Sequence, residues 1–125
     1  VSKDGKTSTG YAFDPRFYTM GNIEPKEIMD NVHIRIFSGN AATLSYVTIG
    51  PGALVPEHSH LHEQLGLVLE GDAEFWVGDD RRRLQPGDAY RIPPHAPHGA
   101  RGGKDGCVVL DVFSPVREDY EALFT

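Results

Sequence analysis

The stretch GALVPEHSHLHEQLGLVLEG, residues 52–71, decides how the chain is read. His58, His60 and His62 alternate, and Gln64 follows two positions on. In a β-strand, side chains two and four positions apart project from one face. If extended, the stretch presents three imidazoles and one amide together. Imidazoles so placed suit a single divalent metal ion. A second stretch, PGDAYRIPPHAPHG at 86–99, adds His95 and His98. The expected metal set is His58, His60, Gln64 and His98, meeting inside a small β-barrel.

Several neighbours compete with that set. His62 shares the parity of the ligands. It is a fifth ligand, a hydrogen-bonding neighbour of the ligands or, if the chain bends after His60, a residue turned outward. Glu63 is the competing carboxylate, but a regular strand points it away. His95 reads as a surface or cavity-rim residue in a Pro-rich corner, and His33 as a strand-face histidine with no metal role.

The chain has 125 residues, which suits one domain with one real core. Fourteen glycines and nine prolines imply many turns and short strands, hence an all-β fold. The net charge of −6 argues against nucleic-acid binding, which needs a basic face. The single cysteine, Cys107, allows no intramolecular disulfide and reads as a small apolar strand residue. No apolar run approaches the ~20 residues of a membrane helix, and no charged-then-apolar leader opens the chain. The expected location is the cytoplasm.

Residues 1–10 read as a mobile polar tail, and 11–125 as the single domain. Tyr11, Phe13, Phe17 and Tyr18 form either an edge strand, a subunit contact or local core. A turn or helical turn is expected over Ile23–Asp30, with strands at His33–Phe37, Ala42–Ile49 and Leu65–Leu69. A turn at Glu70-Gly71-Asp72 then starts a hairpin partner, Ala73–Val77, followed by strands at Arg81–Leu84, Tyr90–Ile92 and His98–Ala100. Gly102–Gly106 reads as a flexible loop before the apolar strand Cys107–Phe113. A short helical pattern over Arg117–Phe124 closes the chain. Arg81, Arg82 and Arg83 read as a solvated strand face. Trp76 reads as core, and Tyr90 as a cavity-mouth or core residue. Eight or more short strands are most economically closed on themselves, which removes exposed edges.

The two stretches resemble the two motifs of the cupins, small jelly-roll barrels with a metal at the centre. Gly52, His58, His60 and Gly71 match the first motif in spacing, and Pro86, Gly87, Asp88, Ile92, Pro93 and His98 match the second. The glutamate of the first motif falls on Gln64. A neutral amide there leaves the full charge of the ion to whatever binds, so an anionic ligand is expected. HSHLHEQLG, IPPHAPHGA and LDVFSPVREDY resemble the pectin-degradation cupins, the KdgF family, which share the glutamine; the chain departs from them at Val116, where proline is expected. The resemblance implies catalytic roles for Asp111, Phe113 and Arg117. It implies ring opening of 4,5-unsaturated monouronates to linear 5-keto sugar acids, one divalent metal (zinc, nickel, manganese or iron), a small anionic sugar-like substrate and a homodimer.

Asp111 is also informative on its own, because it interrupts an apolar strand. A carboxylate in such a setting is costly without a partner. Parity with Cys107, Val109 and Phe113 aims it at the cavity as an acid–base group; the alternative is a buried carboxylate pairing with an arginine or capping a loop. Arg117 would clamp a sugar carboxylate, or pair on a helix surface with Glu118 or Asp119. Other chemistries on the same barrel are a polyketide-type cyclisation, an oxygenase or ligand binding without turnover.

Overall fold

The computed structural model describes residues 16–125. The expected tail at 1–10, and Tyr11 and Phe13, lie outside the described residues. Phe17 is exposed, whereas Tyr18 stacks on Phe37 with ring centroids 4.3 Å apart. A 3-10 turn at Met20–Asn22 leads into eight strands: β1 (Lys26–Met29), β2 (Val32–Ser38), β3 (Thr43–Ile49), β4 (Leu54–His58), β5 (Glu63–Val77), β6 (Asp80–Leu84), β7 (Ala89–Ile92) and β8 (His98–Ser114). A short helix, α1 (Glu118–Glu121), follows. The expected turn over Ile23–Asp30 is instead largely β1, which pairs antiparallel with β2.

All pairings are antiparallel, and the main path runs β1-β2-β3-β8-β5-β6, with β4 paired to β8 and β7 to β5. The fold is an all-β jelly roll, as the resemblance of the two histidine stretches implies. Two expected interruptions are absent. Glu70-Gly71-Asp72 does not turn the chain back: β5 runs through it, and Leu65–Leu69 and Ala73–Val77 are two halves of one strand. Gly102–Gly106 is not a loop but the middle of the 17-residue β8. The register of β5 against β8 shifts between Val68 and Glu70 and between Gly71 and Ala73. The first shift is a bulge of one extra residue on β5, and the second leaves residues 103–106 of β8 without register partners on β5, yet both strands continue through. Gly71 has φ +69°, and a Cβ there would stand 2.1 Å from the Gly106 carbonyl oxygen. Glycine therefore permits close backbone approach here, where composition alone suggests a turn.

Register places the inward side chains in rows across the sheet. One row is Val32, Ile49 and Cys107, and the next is Ile34, Val47, Val109 and Val68. These are buried, and burying each large aliphatic side chain contributes roughly 1.5–3 kcal/mol. Burial also pushes the Cys107 thiol up to about 11, so it stays protonated. The third row is Ile36, Ser45, Asp111, Gly66 and Tyr90; the fourth is Ser38, Thr43, Phe113, Gln64 and Ile92. Along β3 the interior thus changes from aliphatic to polar, and Asp111 of β8 and Gln64 of β5 enter the same region beside the apolar Ile36 and Phe113.

Outside, β6 ends the sheet path, and its arginines are paired locally: Arg81 with Glu74 at 3.4 Å, Arg82 with Asp80 at 3.2 Å and Arg83 with Asp72 at 3.3 Å. Trp76, expected in the core, is half-buried beneath Arg81, whose guanidinium carbon lies 4.6 Å from the ring. Its indole N–H donates to Glu57 at 3.0 Å. Among the described residues no helix is long and apolar enough to cross a membrane.

Candidate metal centre

The three histidines of the cluster do not share one strand. His58 ends β4, His60 lies in the connection that follows, and β5 begins only at Glu63. The chain bends between the two strands, and β8 brings in His98 opposite His58. The ligand atoms of His58, His60 and His98 lie within 4.8 Å of one another. The expected imidazoles therefore converge, but through a bend rather than a single strand face.

Each of the three imidazoles is held by its own backbone. The Nδ1–H of His58 donates to the Pro56 carbonyl at 2.8 Å, that of His60 to the His62 carbonyl at 3.1 Å, and that of His98 to the Ala96 carbonyl at 2.8 Å. Those bonds fix the neutral tautomer and leave each Nε2 as a lone-pair donor to a cation. His98 Nε2 is buried and has no hydrogen-bond partner. Burial is the main cause that drives the pKa of His98 down to about 4 and that of His60 below its ordinary value. Both rings are neutral at pH 7 and ready to ligate.

Gln64 completes the arrangement. Its Oε1 lies 3.1 Å from His60 Nε2, and its amide also hydrogen-bonds Asp111. With the amide N–H given to Asp111, the oxygen is left facing an imidazole lone pair. Two acceptors face each other across a space that a cation would satisfy. The donor set of three imidazole nitrogens and one amide oxygen therefore fits a divalent ion.

The neighbours divide cleanly. His62 is buried but outside the cluster; it hydrogen-bonds the Val116 backbone, packs edge-on against His60 and Phe113, and leaves Nδ1 without a partner. Glu63 is exposed, as strand parity requires. His95 is exposed at φ +67°, where its amide N–H donates to the His60 carbonyl at 2.7 Å. His33 lies on the outer face of β2.

Asp111 is buried beside Gln64. Burial is the main cause that raises its carboxyl to about 6, against the lowering effect of hydrogen bonds from Tyr90 and Gln64. Phe113 lies edge-on to His60 with centroids 5.6 Å apart, and Arg117 stacks over Phe113 and Tyr120. Arg117 combines both sequence readings, being 6% exposed yet paired with Asp119. Its Nε and Nη2 donate to the two Asp119 oxygens at 3.0 and 2.8 Å. The fork expected for a ligand carboxylate is thus held by Asp119, and Nη1 remains buried without a partner. His58, Gln64, His98, Tyr90, Asp111 and Tyr120 line one internal cavity. Tyr90 is the residue whose part the sequence left undefined; its place depends on pairing among β5, β7 and β8, which no local pattern reports.

The barrel and its histidine cluster define a class: the chain belongs to the cupins. The Cupin domain family model matches residues 45–113, more than half of the chain. Within that class the chain is similar to the pectin degradation protein KdgF of Dickeya dadantii, 35% identical over 75 residues that cover 59% of this chain and 68% of that protein. The solved structure of KdgF from Halomonas sp. is 29% identical, with a TM-score of 0.80 over 86% of this chain and 99% of that one. An RmlC-like cupin from Shewanella frigidimarina gives the same TM-score at 28% identity, covering 86% and 96%. The H2HPP isomerase of Bacillus subtilis is 42% identical over 67 residues, 53% of this chain but 28% of that protein.

Proposed function

We propose that the protein is a metal-dependent enzyme that opens the ring of 4,5-unsaturated monouronates to give linear 5-keto sugar acids. The observation that carries this reading is the enclosed Asp111 carboxyl joined to Gln64 at the edge of the histidine cluster. The similarity to two KdgF proteins supports the substrate class. His58, His60, Gln64 and His98 would hold the metal, which supplies Lewis-acid stabilisation of negative charge on oxygen.

The residues of the chain do the rest. Asp111, ionised at neutral pH, takes the proton of the anomeric hydroxyl. The pair left by the O–H bond becomes the second carbon–oxygen bond of the C1 aldehyde as the ring C1–O bond breaks, and the pair of that broken bond stays on the former ring oxygen as an enolate. Asp111 then returns the proton to C4, which leaves a ketone at C5. No atom is gained or lost. Arg117 Nη1 offers one donor to the sugar carboxylate, and Phe113 forms an apolar wall between His60 and Arg117.

The test is ultraviolet absorbance of an unsaturated monogalacturonate mixed with metal-loaded protein. Loss of the conjugated-acid signal in the wild type, with a fall of about 100-fold or more in Asp111→Asn at equal metal content, is expected. An Asp111→Asn protein of full activity removes the proposed shuttle. Oxygen consumption in place of ring opening assigns the barrel to oxygenase chemistry.

A further inference from the structure

Tyr90, Gly66 and Asp111 are register partners on three adjacent strands, β7, β5 and β8. Gly66 faces inward between the other two. A Cβ at Gly66 would stand 2.0 Å from Tyr90 Cζ and 2.4 Å from its hydroxyl oxygen. The tyrosine ring therefore occupies the hollow that the missing side chain leaves. Crossing that hollow, the Tyr90 hydroxyl donates to Asp111 Oδ1 at 2.5 Å. Phe75 packs on the same ring, with centroids 4.8 Å apart. Burial, with the Asp111 charge next, raises the Tyr90 pKa well above the usual phenol range, so the hydroxyl keeps its proton and acts as a donor.

We infer that Tyr90 is a positioning residue for Asp111, holding the carboxylate against the cavity through the hollow at Gly66. Gln64 hydrogen-bonds the same carboxyl from the neighbouring row. Two donors anchored on different strands determine a carboxylate plane where one would leave it free to rotate. A proton shuttle must meet first an oxygen-bound and then a carbon-bound position, so its orientation affects the rate more than substrate affinity. Glycine at 66 follows from the same geometry, since any side chain there would push the phenol off its acceptor.

The inference rests on the ring-opening reading for its kinetic form and on geometry alone for its structural form. Tyr90→Phe keeps the ring and removes only the donor. In metal-loaded protein of wild-type stoichiometry, kcat on the unsaturated monouronate should fall about 10- to 100-fold with KM within about twofold. Crystal structures of the pair should show Asp111 in one orientation in the wild type and rotated or split in the variant. Gly66→Ala should reproduce the loss of kcat, and the double variant should be no slower than the worse single one. A Tyr90→Phe protein with kcat within about twofold of wild type, or one that loses KM or metal instead, overturns the assignment. If the wild type proves inactive on uronates, the ring-opening reading fails by itself. An Asp111 carboxylate unmoved in Tyr90→Phe then overturns the positioning role independently.

Discussion

The two ends of the barrel interior are built on the same strands and differ in chemistry. Toward one end β2, β3 and β8 contribute Val32, Ile34, Val47, Ile49 and Val109, all buried and all apolar. Toward the other, the same strands and β5 contribute Ser38, Thr43, Ser45, Asp111 and Gln64, equally buried and polar, set among the apolar Ile36 and Phe113. There Ser45 Oγ and His98 Nε2 have no hydrogen-bond partner, and an enclosed carboxyl has its ordinary pKa displaced by burial. Unpaired polar groups cost stability. The aliphatic end offsets that cost, and separating the two ends allows one strand set to carry both.

The comparison breaks most visibly at His98. His98→Ala should reduce bound metal from one equivalent to near zero by elemental analysis and abolish the proposed ring opening, with the fold retained in circular dichroism. A protein that keeps its metal after this change would show that the cluster is not the site.

A smaller and opposite effect is expected at Asp111. Its folded pKa is raised to about 6, so the barrel favours the protonated form. That favourable contribution is complete below pH 4 and is lost as pH rises through 6. Asp111→Asn cannot ionise and should escape the loss. In metal-stripped protein it should therefore be more stable than wild type by about 3 kcal/mol at pH 8, and close to equal at pH 4, by urea denaturation. Equal stability at both pH values would place the carboxyl in a solvated setting.

The mildest change tests the other end. Val109→Ala should cost about 1–3 kcal/mol in urea denaturation, while metal content and kcat stay within about twofold of wild type. A loss of metal in that variant would show that the two ends are mechanically coupled.

Much of the polar end was legible in the chain. The spacing of His58 and His60 and the distant His98 named the histidine cluster, the motif position of Gln64 put an amide beside it, and the interruption of an apolar run singled out Asp111. The reason for convergence was different, because a bend at 59–62 does what a single strand was expected to do. Gly71 and Gly102–Gly106 carry turn composition yet lie inside long strands, since glycine also serves bulges and close backbone contact. Periodicity cannot separate those uses. The Tyr90–Asp111 bond was illegible for another reason: it exists only through a three-strand register fixed by the whole sheet. Likewise, the pairing of Arg117 with Asp119 was foreseen, but its burial against Phe113 and Tyr120 depends on how α1 meets the barrel.

The three arginines of β6 have a consequence beyond the barrel itself. A terminal strand offers its free amide and carbonyl groups to any extended peptide that comes near. Here each approaching chain would have to settle beside a line of bulky cations already engaged with their own carboxylates. Recruitment of further strands is discouraged, so crowded molecules of this protein should resist growing into fibrils from that border.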